Sequence, residues 1–103
     1  IDRVRYELLL DAFTALERHA TRLGVAVAIA SAADVRWSLD QGVDYVVVGK
    51  GAMVDHAFAT HAIADEDYTA PAFPVGRDHL RREFLGERFV DYFSRGWPHL
   101  VAD

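Results

Sequence analysis

The stretch "DYVVVGKGAMVDH", residues 44 to 56, decides the predicted fold because it joins an apolar run to a glycine-rich turn. Its first part, Tyr45 to Val48, is continuous and rich in β-branched residues, as is typical of a strand buried on both faces. Gly49, Lys50 and Gly51 break this run, and the residues after them have the composition of a helix. We therefore predict a strand, a turn with a lysine between two glycines, and a helix.

The segment before this stretch completes a β-α-β unit. A second apolar run, "VAVAIA" at residues 25–30, predicts another strand covered on both faces. Ser31 then offers a hydroxyl N-cap, with Asp34 three residues later, to a helix that ends before Gly42. A crossover of this length joins parallel strands in nearly every protein, so the predicted sheet is parallel.

Helices are predicted on both sides of this unit. Upstream, apolar residues recur at spacings of three and four, which indicates one buried helix face before Gly24: Leu9, Phe13, Leu16, Ala20 and Leu23. Downstream, residues 64–76 contain prolines and polar residues and predict a surface loop. Two short helices with aromatic inner faces are predicted in the tail, interrupted at Gly86 and ended by Gly96 and Pro98.

Composition restricts the classes of function. The 103 residues allow one domain, and the formal charge of -5 without a basic run disfavours nucleic acid and anionic membrane surfaces as partners. The absence of cysteine from the sequence excludes disulfides, thiolate nucleophiles and Cys-zinc sites. No signal-peptide pattern or long apolar span occurs in these residues, so we expect a cytoplasmic location.

Two parallel strands cannot cover their own faces or edges, because all-parallel sheets occur as buried parts of larger folds. We therefore expect either further strands before Ile1 in a longer protein or the assembly of several copies.

The Gly-Lys-Gly turn is the candidate binding site. Gly49 and Gly51 allow the backbone to approach a ligand closely, the next helix offers unpaired N–H groups, and Lys50 adds a mobile positive charge. A phosphate or carboxylate at the carboxyl end of the strand fits this pattern. A tight turn with a solvated lysine explains the same residues equally well.

From about Leu23 onward, the order of these motifs resembles the carboxyl-terminal portion of the old yellow enzyme family, the FMN-dependent NAD(P)H oxidoreductases. "GVDYVVVGKGAMVDH" matches the family's eighth strand and its Gly-Arg turn, and "FVDYFSRGWPHLV" matches its tail. The resemblance implies an α/β fold in which residues 1–103 are the carboxyl-terminal segment of a single (β/α)8 TIM barrel. Residues 1–24 would hold the helix before strand seven, residues 25–63 the last two β/α units, and residues 64–103 the loop and helical tail.

The resemblance also implies four cofactor-binding residues. Gly49 and Lys50 fall on the family's Gly-Arg pair at the FMN phosphate, although lysine lacks the bidentate fork of arginine. Val27 and Ala28 stand where the family has a second pair, usually Gly-Gly or Gly-Ser. Side chains at these two positions could push FMN away from the backbone.

The implied function is hydride transfer from NAD(P)H through FMN to an activated alkene or related small-molecule acceptor. No catalytic residue is predicted in this segment, because the family's catalytic groups lie on earlier strands, and a homo-oligomer is compatible with the pattern. One alternative is a degenerate, flavin-free barrel that serves as a structural or interaction subunit. Another is a different phosphate-binding (β/α)8 enzyme.

Other candidates have simpler explanations. His56 and His61 are five apart and cannot form the i, i+4 pair of a helical zinc site, so no metal site is predicted and both are interpreted as helix-surface residues. Residues 65–67 are acidic and are expected to form a solvated loop. Tyr92 and Trp97 are expected to pack within the tail.

Overall fold

The computed structural model describes residues 3–14, 22–26 and 28–103. Helices predominate in this part of the chain, and the strands are short. In chain order the elements are α1 (Arg3–Thr14), β1 (Gly24–Val25), α2 (Ala32–Asp40), β2 (Tyr45–Val46), α3 (Lys50–Val54), α4 (Phe58–Ala64), α5 (Arg77–Arg82), α6 (Glu87–Gly96) and a final 3-10 helix (Pro98–Leu100).

The predicted fold class, an α/β segment made of the last two β/α units and helical tail of a (β/α)8 barrel, is wrong. β1 and β2 do pair in parallel, Gly24 with Tyr45 and Val25 with Val46, but each strand has only two residues. Strands that build sheets are usually several residues longer. A two-residue ladder in a mainly helical chain is not a section of barrel wall.

The first apolar run does not stay extended, because its backbone turns at Ala28. The φ angle of Ala28 is 53°, in the left-handed region. Beyond it, the Ala70 N–H donates to the Ala30 carbonyl at 2.8 Å, and the Ala32 N–H donates to the Tyr68 carbonyl at 2.9 Å. The run predicted as a barrel strand therefore ends against a loop, and an apolar pattern alone cannot reveal such a turn.

The second apolar run is not buried on both faces. The side chains of Tyr45 and Val47 are 50% and 48% exposed, whereas Val46 and Val48 are partly buried. This alternation is typical of a strand with one covered face. The prediction of a fully covered strand from Tyr45 to Val48 is wrong because composition does not show what covers each face.

The helix between the strands is confirmed. The Asp34 N–H donates to the Ser31 hydroxyl at 3.1 Å, which is the predicted N-cap. The Asp34 carboxylate accepts a hydrogen bond from the Ala30 N–H at 2.9 Å. In a capping box it would instead accept from the N–H of the N-cap residue, Ser31. Gly42, with a φ of 92°, ends the helix in a conformation that favours glycine.

The upstream helix is present as α1, but its predicted buried face is wrong at Leu9. That side chain is 41% exposed, whereas Tyr6 is fully buried and its hydroxyl donates to the Ser38 carbonyl at 3.0 Å. Leu16, Ala20 and the side chain of Phe13 lie outside the described part of the chain. Hydrophobic spacing identified the helix but wrongly assigned Leu9 to its buried face.

The carboxyl-terminal region follows the prediction more closely. The predicted helix after the second strand is divided at Asp55 into α3 and α4, and the tail forms α5 and α6 on either side of Gly86. Leu80, Val90 and Phe93 are buried there. The aromatic inner faces predicted for the tail helices do not include Phe84, which is 79% exposed. None of the helices within the described ranges is long and apolar enough to cross a lipid bilayer.

Candidate functional site

A cavity of about 500 Å³ opens where three segments meet. Its walls are the end of the first apolar run, the turn at residues 47–51 and the loop at residues 69–73. Three of the four residues predicted to bind a phosphate, Ala28, Gly49 and Lys50, line it. The fourth, Val27, lies outside the described residues.

The two glycines of the turn have different roles. A Cβ atom on Gly51 would lie 2.9 Å from the Ile29 carbonyl oxygen, so this glycine permits the close approach of α3 to the first apolar run. A Cβ atom on Gly49 would meet nothing within 4 Å. Gly51 is therefore explained by packing, whereas Gly49 leaves bare backbone at the cavity wall, as a close-lying ligand requires.

Ala28 has the backbone conformation that glycine adopts most easily. Its positive φ costs an alanine roughly 1–2 kcal/mol relative to the right-handed region. The residue is exposed and lines the same cavity as Gly49 and Lys50. The resemblance placed a glycine at this position, and the backbone angle agrees with that preference.

Lys50 supplies the charge of the cavity. It is exposed at the first position of α3, and within the described residues the ion pairs involve other side chains. α3 has only five residues, too few for a substantial helix dipole. Attraction of an anion would therefore depend on the ammonium group itself.

A second group of polar side chains was missed by the sequence analysis. The buried carboxylate of Asp55 accepts a hydrogen bond from the Tyr68 hydroxyl. The same oxygen lies 2.5 Å from Nδ1 of His61, and the other oxygen accepts from the Ala57 N–H at 2.9 Å. These contacts tie the break between α3 and α4 to the loop that follows α4.

The electrostatics of this group are set by burial and hydrogen bonds. Burial acts to raise the pKa of Asp55, but the hydrogen bonds from Tyr68, His61 and the Ala57 N–H outweigh it and hold that pKa below its usual value. For Tyr68, burial and then the bond to Asp55 both raise the pKa. Asp55 is thus ionised and Tyr68 is a neutral donor at neutral pH.

His56, the residue after Asp55, contacts a different carboxylate. Its Nδ1 lies 2.5 Å from the Glu83 carboxylate, and its ring packs edge-on against Phe84 at 4.8 Å between centroids. The hydrogen bond with His56 lowers the pKa of Glu83. His61 is an exposed residue of α4, as predicted, whereas His56 lies in the turn between α3 and α4, and each of the two contacts a carboxylate.

The sequence held little signal for this group. Asp55 and Glu83 are separated by almost the whole of α4, the loop and α5, so only the folded chain brings them together. The nearest sign of this group in the sequence was the pair Asp55 and His56, with a further histidine at position 61. These residues indicate a polar cluster only once the helix is known to break at Asp55.

In comparisons with protein-family models, curated proteins and solved structures, no match to this chain was found. The resemblance to old yellow enzymes therefore remains a prediction from the motifs alone.

Proposed function

We propose that this protein binds FMN in the cavity at Ala28, Gly49 and Lys50 and contributes that site to an NAD(P)H-dependent oxidoreductase. The observation that carries the proposal is that Ala28 lines the same cavity as Gly49 and Lys50, which lie about twenty residues further along the chain. The proposal concerns this cavity and requires no barrel.

The dimensions and lining of the cavity fit such a ligand. Its volume lies within the 300–1,000 Å³ typical of small-molecule sites. Apolar side chains of Val47, Val54 and Phe73 line it, which suits a planar ring system, and Lys50 suits a phosphate. Bound FMN would supply hydride transfer, as flavins do.

The residues of this chain act in binding rather than in bond making. Lys50 offsets the phosphate charge, and Gly49 lets that phosphate reach the backbone without meeting a side chain. The walls at Val54 and Phe73 exclude water from the ring. The acceptor and the groups that position it would come from outside this cavity.

The test is a visible absorption spectrum of the purified protein after gel filtration with added FMN. Retained flavin bands support the proposal. Lys50→Ala should weaken FMN binding by about tenfold, the value of one charge-assisted hydrogen bond. Arg82→Ala is the matched control, since Arg82 is an exposed cation outside the cavity lining and should leave affinity unchanged.

A second candidate function is a flavin-free structural or interaction subunit. It is favoured by Val4 and Leu8, two large apolar side chains one turn apart on the same face of α1, which are exposed by 72% and 66%. A protein that retains no FMN, and whose Lys50→Ala variant differs only slightly in stability, would support this alternative.

A further inference from the structure

Three side chains with metal-binding atoms converge near the break between α3 and α4. Asp55, His56 and Glu83 each offer one ligand atom, and these atoms all lie within 4.8 Å of one another. Asp55 is buried, the Glu83 side chain is 19% exposed and the His56 side chain is 53% exposed. Asp55 therefore forms the buried end of the group, and His56 forms its solvent-accessible end.

Asp55, the buried member of this group, is already held in place by hydrogen bonds from residues other than His56 and Glu83. Three of the roughly four lone-pair positions of the Asp55 carboxylate are used by Tyr68, His61 and the Ala57 N–H. The remaining position is left for a further partner. Carboxylates that bind metals are commonly fixed by such outer hydrogen bonds.

The charges also favour a cation. Asp55 and Glu83 bring two carboxylates close together, and the negative charge of Asp55 acts against the ionisation of Glu83. His56 offsets this repulsion by a hydrogen bond to Glu83 alone. A divalent ion among all three groups would offset both charges at once.

We propose that Asp55, His56 and Glu83 bind one divalent transition-metal ion, with a fourth position open to water or a small ligand. One imidazole with two carboxylates suits Zn²⁺ and its neighbours better than Mg²⁺ or Ca²⁺, which prefer oxygen ligands alone. Three protein ligands with an open position are the arrangement of catalytic zinc sites.

The geometry allows this with a small movement. Ligands at zinc bond lengths in a tetrahedron lie about 3.4 Å apart. The His56 to Glu83 contact of 2.5 Å must therefore open by about 1 Å, and separations of up to 4.8 Å must close by up to about 1.4 Å. The half-exposed His56 ring, which packs edge-on against Phe84, would turn to do so. The helical pair of His56 and His61 that the sequence disfavoured is not involved, since His56 lies between α3 and α4 and His61 contacts the Asp55 carboxylate through Nδ1.

The experiment is a calorimetric titration of the full chain with ZnCl₂ at pH 7, repeated with MgCl₂. We expect saturable binding of one Zn²⁺ per chain and weak or no binding of Mg²⁺. His56→Gln and Glu83→Gln should each weaken Zn²⁺ binding at least about tenfold. His99→Gln and Glu66→Gln, which change exposed residues elsewhere, should leave it within about twofold.

Two results would overturn the proposal. One is the absence of saturable Zn²⁺ binding, and the other is unchanged affinity in both site variants, which would identify adventitious binding elsewhere. Circular dichroism of each variant checks folding. Should a variant unfold, NMR of the unmodified chain decides, because Zn²⁺ must then shift the His56 ring signals while those of His99 stay in place.

Discussion

The cavity at Ala28, Gly49 and Lys50 and the polar cluster around Asp55 are built in opposite ways. The cavity is formed by backbone, small residues and one exposed cation, whereas the cluster is formed by a buried carboxylate with three hydrogen-bond donors. The cavity residues were predicted and the cluster was not. Local turn chemistry can be recognised in a sequence, but contacts between distant side chains depend on the fold.

This difference in construction predicts a difference in stability. The largest effect is expected for Asp55→Ala, which leaves the partly buried hydroxyl of Tyr68 and the His61 ring without their acceptor. We expect the free energy of unfolding to fall by about 3 kcal/mol. Urea denaturation measures it, with Asp91→Ala on the exposed surface of α6 as the control. A loss no greater than that of the control would show that the cluster has no stabilising role.

The next effect separates the two glycines of the turn. Gly51→Ala should cost about 2 kcal/mol, because the new Cβ would press against the Ile29 carbonyl and the side chains of Phe58 and Val48. Gly49→Ala should change the free energy of unfolding little, since a Cβ atom at this position would lie in open space. Thermal unfolding of the pair tests this, and equal losses would contradict the assignment of Gly49 to the cavity wall.

A smaller effect of the opposite sign is expected at Ala28. Ala28→Gly should raise the free energy of unfolding by about 1 kcal/mol, because glycine has no penalty at positive φ. Ala33→Gly, at an exposed position in α2, should lower it by a similar amount. Destabilisation by Ala28→Gly would mean that the left-handed turn is absent.

The smallest expected effect is a change in how the free energy of unfolding depends on pH in acid. The pKa of Glu83 is lowered in the folded chain, so its contribution is complete above its unfolded pKa of about 4.3 and is lost as the pH falls through the folded value. Glu83→Gln should therefore lose less stability between about pH 5 and pH 3 than the unmodified chain. Parallel acid profiles for the two proteins would show that the contact with His56 contributes nothing.

The features of the fold that the sequence predicted correctly are also those that depend on local chemistry. The N-cap at Ser31, the end of α2 at Gly42 and the two tail helices around Gly86 depend on local chemistry, and all were correct. The barrel was wrong because two apolar runs were assumed to stay extended. Ala28 turns the first run away, and the exposed faces of Tyr45 and Val47 show that the second is only partly covered.

The same limit applies to the sites. Gly49 and Lys50 were predicted because they follow an apolar run in a turn with a cation between two glycines, and both line the cavity. Asp55 and Glu83 were missed because neither stands in a recognisable motif, and their proximity requires the break between α3 and α4. Predicting that break would have needed the packing of Phe58 and Val54, both buried in the core.

The most direct test of the central claim compares FMN with riboflavin, which lacks only the phosphate, in the unmodified protein and in Lys50→Ala. Fluorescence quenching on titration gives the four affinities. If Lys50 binds the phosphate, FMN binds at least about tenfold more tightly than riboflavin to the unmodified protein, and the difference largely disappears in the variant. Equal affinity for both flavins, or no binding of either, would contradict the assignment of this cavity to FMN.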